Sequence, residues 1–195
     1  MTEAVIRLVL GKRGCGKSYY VKQDIKDEKR LIVYDTMGEY TDFGVPIYDI
    51  DGLIDFWTNK TESNFRIIYQ PLQPEVEFDY VCRLVYACRD LTFVAEEIDT
   101  FCSPSGLSLA FANIIQRGRH KNIEFYGVSQ RPYGIARSIS AQAKEIVTFK
   151  QTEPRDIEYL KTYIGRDIEG QMETLGQYEF LRWTAGEDTL VKGKK

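Results

Sequence analysis

Eight residues near the N-terminus, Gly11-Lys12-Arg13-Gly14-Cys15-Gly16-Lys17-Ser18, carry glycines, a lysine and a hydroxyl in the spacing G-x-x-x-x-G-K-[ST]. That combination handles polyphosphate. A glycine-rich turn lets backbone N–H groups curl around a phosphate at the positive end of a helix dipole. Gly11, Gly14 and Gly16 permit close approach and positive φ. Lys17 would reach the β- and γ-phosphates, and Ser18 Oγ would ligate Mg2+. The residues expected to touch the nucleotide are Gly11, Gly14, Cys15, Gly16, Lys17, Ser18 and Tyr19. A glycine-rich turn can match this pattern by chance, so the flanks matter. An apolar run from Ala4 to Leu10 reads as a buried parallel strand entering the loop, and the chain from Lys17 to about Asp27 reads as the helix leaving it.

A second group of residues suits hydrolysis. Leu91-Thr-Phe-Val-Ala-Glu96-Glu97 is an apolar strand that runs into adjacent acids. Glu96 would hold Mg2+ directly or through water, and Glu97 would polarise an attacking water. A helix cap or a surface pair explains many such acid pairs, but this one lies downstream of a phosphate loop. Gln130 closes the strand Ile123 to Ser129, where its amide could bind the γ-phosphate or orient water; the plainer reading is a polar residue before Pro132. Asp35 and Glu39 lie in the loop leaving the strand Arg30 to Asp35, on the side where loops line a ligand crevice. Either they stand near nucleotide or Mg2+, or Asp35 caps a turn and Glu39 is solvated. The turn Arg117-Gly-Arg119-His-Lys121 precedes a strand. Arg119, ahead of Arg117, suits an arginine finger for a neighbouring subunit's γ-phosphate. Residues 117–144 carry a local charge of +5 in a chain of net charge −3. That run is either a solvated face or a surface that meets a nucleic-acid backbone.

These groups need a sheet to position them. The pattern predicts strands at Val45 to Tyr48, Phe65 to Tyr69 and Glu145 to Phe149, and a terminal antiparallel edge strand at Tyr178 to Trp183. It predicts helices at Asp51 to Thr58, Pro74 to Arg89, Leu107 to Gln116, Glu153 to Ile164 and Arg166 to Leu175, with loops at Asn59 to Asn64 and Phe101 to Gly106. In the helix from Pro74, the face expected to meet the core is Val76, Tyr80, Val81, Leu84, Val85 and Cys88. The polar tail from Glu187 is expected to fray.

The chain has 195 residues, 43% hydrophobic and 13% aromatic, which suits one globular domain with a substantial core. The expected division is a core over residues 4–150, C-terminal helices and an edge strand over 151–184, and the tail from 185 to 195. No run approaches the roughly 20 apolar residues of a membrane span, and no signal-type segment opens the chain. Both observations point to the cytoplasm and to no membrane partner. Four cysteines, Cys15, Cys82, Cys88 and Cys102, form no C-x-x-C pair, and His120 is the single histidine, which argues against a zinc site. Cys15 beside Lys12 and Lys17 invites a lowered thiol pKa. The plainer reading is a small residue at a variable loop position. The modest negative charge confines nucleic-acid contact to local surfaces, or shares it among subunits.

Five stretches in order carry a resemblance: the phosphate loop, Asp35-Thr-Met-Gly-Glu39-Tyr40, Phe93-Val-Ala-Glu96-Glu97, Arg119-His-Lys-Asn-Ile123 and Val128-Ser-Gln130-Arg-Pro132. Together they resemble the HerA/FtsK superfamily of P-loop motor ATPases, above all the small genome-packaging ATPases of bacteriophages and other DNA viruses. The resemblance implies an α/β fold of RecA-like (ASCE) type, a mostly parallel sheet flanked by helices with a small antiparallel C-terminal addition. It implies an extra strand between the phosphate-loop strand and the acid-bearing strand. Carried over by position, Lys17 and Ser18 bind phosphates and Mg2+, Glu96 supports the metal, Glu97 is the catalytic glutamate, Gln130 the γ-phosphate sensor and Arg119 the finger in trans. Glu96 departs from the commoner Asp.

The function so implied is an ATP-driven translocase of double-stranded DNA, binding it non-specifically within a homo-oligomeric ring, pentamer or hexamer. If viral, it would dock on a portal or procapsid vertex in the host cytoplasm. Phe101 to Gly106 and Arg131 to Arg137 are the loops that could touch DNA. A small-molecule kinase shares the phosphate loop and the size, but adjacent glutamates serve water attack better than transfer to a bound hydroxyl. A phage morphogenesis ATPase acting on protein is the further alternative.

Overall fold

The computed structural model describes residues 4–60, 64–165, 168–187 and 190–194. The chain runs β1 (Ile6–Leu10), α1 (Lys17–Asp24), β2 (Arg30–Tyr34), β3 (Val45–Ile47), α2 (Ile50–Lys60), β4 (Phe65–Tyr69), α3 (Pro74–Cys88) and β5 (Leu91–Ala95). It continues with a small hairpin, β6 (Cys102–Ser103) and β7 (Gly106–Leu107), then α4 (Leu109–Arg117), β8 (Ile123–Ser129), α5 (Arg137–Ser140) and β9 (Glu145–Phe149). It ends with α6 (Pro154–Ile164), α7 (Ile168–Glu173), β10 (Glu179–Thr184) and β11 (Val191–Lys194). Among the described residues the main sheet has nine strands, ordered β11-β10-β9-β1-β8-β5-β2-β4-β3. The strands from β9 to β3 are parallel, and β10 and β11 are antiparallel additions.

The strand that carries Gln130 lies between the phosphate-loop strand and the acid-bearing strand. Its register sets Leu10 beside Ser129 and Ala95 beside Gly127. The phosphate loop, Gln130 and the acid pair therefore leave three neighbouring strands at the same edge. Side-chain alternation sends Leu8, Leu10, Ile32 and Tyr34 to one core and Val9, Leu31 and Val33 to the other. The larger core is covered by α3, α4, α5, α6 and α7, and the smaller by α1 through Tyr20, Val21 and Ile25. Burying a side chain such as Phe93 or Phe125 contributes about 1.5–3 kcal/mol, and both are essentially without solvent contact.

Four expectations are corrected. In α3 the expected Val81 and Val85 are buried, with Leu84 and Cys88 half-buried against the same core, but Phe78 and Cys82 complete the face at i, i+3, i+4 and i+7 spacing. Val76 and Tyr80 are 59% and 51% exposed, on a face that looks outward. Within the tail expected to fray, β11 (Val191–Lys194) pairs with β10, so β10 is not an edge strand. Backbone groups left open on β10 are what it satisfies. The loop after Phe101 contains the β6–β7 hairpin, and α4 starts two residues later than expected because Ser108 caps it, accepting from Phe111 N at 3.2 Å. The basic run is not one surface. Arg117, Arg119, Lys121 and Lys144 precede strands β8 and β9, whereas Arg131 and Arg137 follow β8. The intervening strand carries the two halves to opposite ends of the sheet. The expected loop at Asn59 to Asn64 falls partly on residues outside the description, as does the start of the helix expected from Arg166.

Candidate active site

The phosphate loop joins β1 to α1. Gly16 caps the helix with φ 105°, a left-handed conformation that suits glycine. At Gly11 a Cβ would stand 2.6 Å from Cys15 Sγ and 2.8 Å from Phe149 Cβ, so no larger residue fits between the loop and β9. Lys17 is buried, and its Nζ donates to Lys12 O across the loop at 3.1 Å. Burial raises the Cys15 thiol above its ordinary pKa and outweighs the nearby Lys17 charge, which overturns the expectation of a lowered value.

The acids approach this loop from β5. Glu96 is 4% exposed, and Tyr40 donates to its Oε1 at 2.6 Å. Burial pushes the Glu96 carboxyl up to about 7; the Tyr40 hydrogen bond and Lys17 oppose this, and the charges of Glu39 and Asp35 add to it. The Ser18 hydroxyl lies near enough to the same phenol to favour its ionised form, so one tyrosine stands beside both groups expected at a metal ion. Glu97 takes φ 51°, which ends β5 abruptly and leads into the single turn Ile98–Thr100. Gln130 Nε2 donates to Glu97 Oε1 at 2.8 Å. Gly14, Gly16, Lys17, Ser18, Tyr19, Glu96, Glu97 and Gln130 all line one cleft.

Asp35 and Glu39 divide the two roles weighed for them. Asp35 is 1% exposed and accepts from Glu39 N at 3.0 Å and Tyr40 N at 2.9 Å. It caps the turn that presents its neighbours, while Glu39 lines the cleft. Arg119 is far from this cleft. It precedes β8 at the end opposite Gln130, and six strand steps span about 20 Å. Within its own subunit it cannot reach a nucleotide on the phosphate loop. Arg13, Met37, Ser129 and Tyr178 also line the cleft and were not anticipated. Tyr178 precedes β10, more than 150 residues from the loop it faces, and no local pattern signals that contact.

Among the described residues, no cluster of three His, Cys, Asp or Glu side chains could hold a metal ion by itself. The donor set fits Mg2+ of another kind. A buried carboxylate and a serine hydroxyl on either side of Tyr40 would share the ion with nucleotide phosphates and water.

Hydrogen bonds continue beyond the cleft. Ser129 Oγ donates to Asp99 at 2.7 Å, and Arg131 N donates to Ser129 Oγ at 3.0 Å. The buried Asp156 of α6 accepts from Arg131 Nε at 3.1 Å and Tyr133 N at 3.0 Å. The two loops expected to touch DNA converge here: Pro104, Tyr133, Arg137, Arg155 and Tyr163 line one groove.

No family model matches the chain, and no curated protein matches it. Solved structures do. The genome packaging NTPase B204 from Sulfolobus turreted icosahedral virus 2, in complex with AMPPCP, is 20% identical with a TM-score of 0.80, covering 100% of this chain and 99% of that one. VirB4 of Thermoanaerobacter pseudethanolicus is 12% identical with a TM-score of 0.66, over 96% and 88% of the two chains. The pCW3 conjugation coupling protein TcpA is 12% identical with a TM-score of 0.64, over 98% of this chain and 60% of that one. At these identities the likeness is one of fold, and it agrees with the likeness that the five sequence stretches carry. The chain has the P-loop NTPase fold, with a mostly parallel sheet and a small antiparallel addition, similar over its whole length to a viral genome-packaging NTPase.

Proposed function

We propose that this chain is an ATP-hydrolysing motor subunit, one P-loop ATPase domain that moves double-stranded DNA as part of a genome-packaging ring. The observation that carries the reading is the contact between Gln130 and Glu97 at 2.8 Å, beside Lys17 and Ser18 and delivered by a strand inserted between β1 and β5. The fold-wide similarity to a packaging NTPase supports it. Lys17 would contact the β- and γ-phosphates, and Ser18 with Glu96 would hold Mg2+. When bound, that ion would neutralise charge on the phosphate oxygens. Glu97 would accept the proton of the attacking water, with Gln130 holding its carboxylate in place. This pair favours hydrolysis over transfer to a bound hydroxyl.

Arg119 would act on a neighbour's nucleotide, which requires subunits packed head to tail. Beside the cleft, Thr36, Val76, Phe101 and Glu97 line a groove on which a second copy could seat its basic turn. DNA would meet the groove between the hairpin and α6, where Arg137 and Arg155 face outward. Such phosphate contacts carry no sequence information.

The test is phosphate release with and without double-stranded DNA for the wild type, Glu97→Gln and Arg119→Ala. DNA should raise the rate, both variants should lose it, and Glu97→Gln should still bind ATP. A rate indifferent to DNA would sink the translocase reading and favour an ATPase acting on protein. A phosphorylated acceptor would favour a kinase.

A further inference from the structure

The cleft contains exposed aromatic surface that phosphate chemistry does not use. Tyr178 is 43% exposed and lines the cleft together with the phosphate loop. Its ring lies against that loop: a Cβ built on Gly16 would come within 3.3 Å of Tyr178 Cδ1. The backbone of Tyr178 takes φ 63°, a left-handed conformation that bulky side chains rarely adopt. The turn around it is pinned. Gly176 N donates to Glu179 Oε2 at 2.7 Å, Glu179 N donates to Gly176 O at 3.3 Å, and Lys192 of β11 pairs with Glu179 at 2.9 Å. A strained residue held this firmly, with an open ring in a ligand cleft, is the kind of outlier from which function is inferred. Among the described residues lining the cleft, the one other aromatic side chain is Tyr19, 56% exposed.

We propose that Tyr178 is the platform on which the base of the bound nucleoside triphosphate stacks. The proposal rests on the nucleotide reading above and adds to it a residue for base binding. The phosphate loop fixes one end of the ligand and leaves the flat heterocycle to find apolar cover, which the Tyr178 ring supplies. Stacking tolerates base identity, because every base has a π-face. Purines should therefore be favoured over pyrimidines by surface area, without a strict demand for adenine.

Calorimetric titration with Mg2+ separates this proposal from the nucleotide reading itself. The ligands are ATP, CTP and inorganic tripolyphosphate; the proteins are the wild type, Tyr178→Phe, Tyr178→Ala and Tyr178→Asn. ATP affinity should fall about tenfold in Tyr178→Ala and Tyr178→Asn and stay within about threefold in Tyr178→Phe, in line with the loss of one base–aromatic stack. Tripolyphosphate should bind all four alike, and the preference for ATP over CTP should shrink where the ring is missing. Asparagine tolerates the left-handed conformation, so the melting temperature of Tyr178→Asn should match or exceed that of the wild type, showing an intact fold. The platform is overturned if Tyr178→Asn binds ATP like the wild type, or if it loses ATP and tripolyphosphate equally. It also falls if wild-type protein holds tripolyphosphate as tightly as ATP. If the wild type binds neither ligand, the nucleotide reading fails and the platform with it.

Discussion

Glu96 is a carboxylate buried at the end of a central strand, 4% exposed, with its pKa pushed up to about 7. Its folded-state pKa lies above the ordinary value, so the native chain holds this proton longer than the unfolded chain does. The associated stability is complete below the ordinary carboxylate range and is lost as pH rises through about 7. Glu96→Gln removes that ionisation. It should melt like the wild type near pH 5 and be more stable by about 1–3 kcal/mol at pH 8, while Mg2+-dependent hydrolysis is abolished. Equal melting temperatures at pH 8 would show that Glu96 ionises freely. Tyr40→Phe tests the same centre from the other side. Without the phenol, Glu96 loses a 2.6 Å hydrogen bond that favours its charged form, so the pH at which activity rises should move upward. An unshifted pH profile would mean that Tyr40 only fills space.

The elements that hold the site are tied by buried aspartates rather than by packing alone. Asp35 binds the turn after β2 and so sets where Glu39 and Tyr40 stand. Asp156 of α6 does the same for the segment after β8, accepting from Arg131 and Tyr133 N. Removing a buried acceptor strands its donors, whereas an exposed partner can turn to water. Asp156→Ala should therefore destabilise the chain by about 2 kcal/mol, with Arg131→Ala well below about 1 kcal/mol because Arg131 is exposed. Urea unfolding with an unchanged m-value would check both. DNA stimulation should suffer more than basal hydrolysis in Asp156→Ala, since the segment it anchors joins the cleft to the groove of Arg137 and Arg155.

At the scale of the whole molecule, the cleft and the basic turn occupy opposite ends of one sheet. If Arg119 serves a neighbour's nucleotide, as proposed, specific activity should rise with protein concentration. Mixing Glu97→Gln with Arg119→Ala should restore some hydrolysis where an intact Glu97 cleft meets an intact Arg119; no recovery would argue against a finger in trans. DNA stimulation should also fall steeply with salt, because each Lys or Arg that binds a phosphate releases condensed counterions. A flat salt response would rule out a backbone-contact mechanism. The sequence by itself determined much of this: the phosphate loop, the Glu96-Glu97 pair, Gln130 and the parallel strands that carry them. Each is legible because it depends on local spacing and on short apolar runs, rich in β-branched residues and bounded by turns, that suit buried strands. Only the tertiary structure decided the rest. Strand order brought Gln130 to Glu97, and a strand's length split one basic run into two distant ends. The pairing of β11 with β10 turned an expected loose tail into the sheet's edge. Chain return from β9 through α7 placed Tyr178 on Gly16. Those contacts join residues far apart in the chain, and they are set by register and by which face of a helix finds the core, quantities that no local window contains.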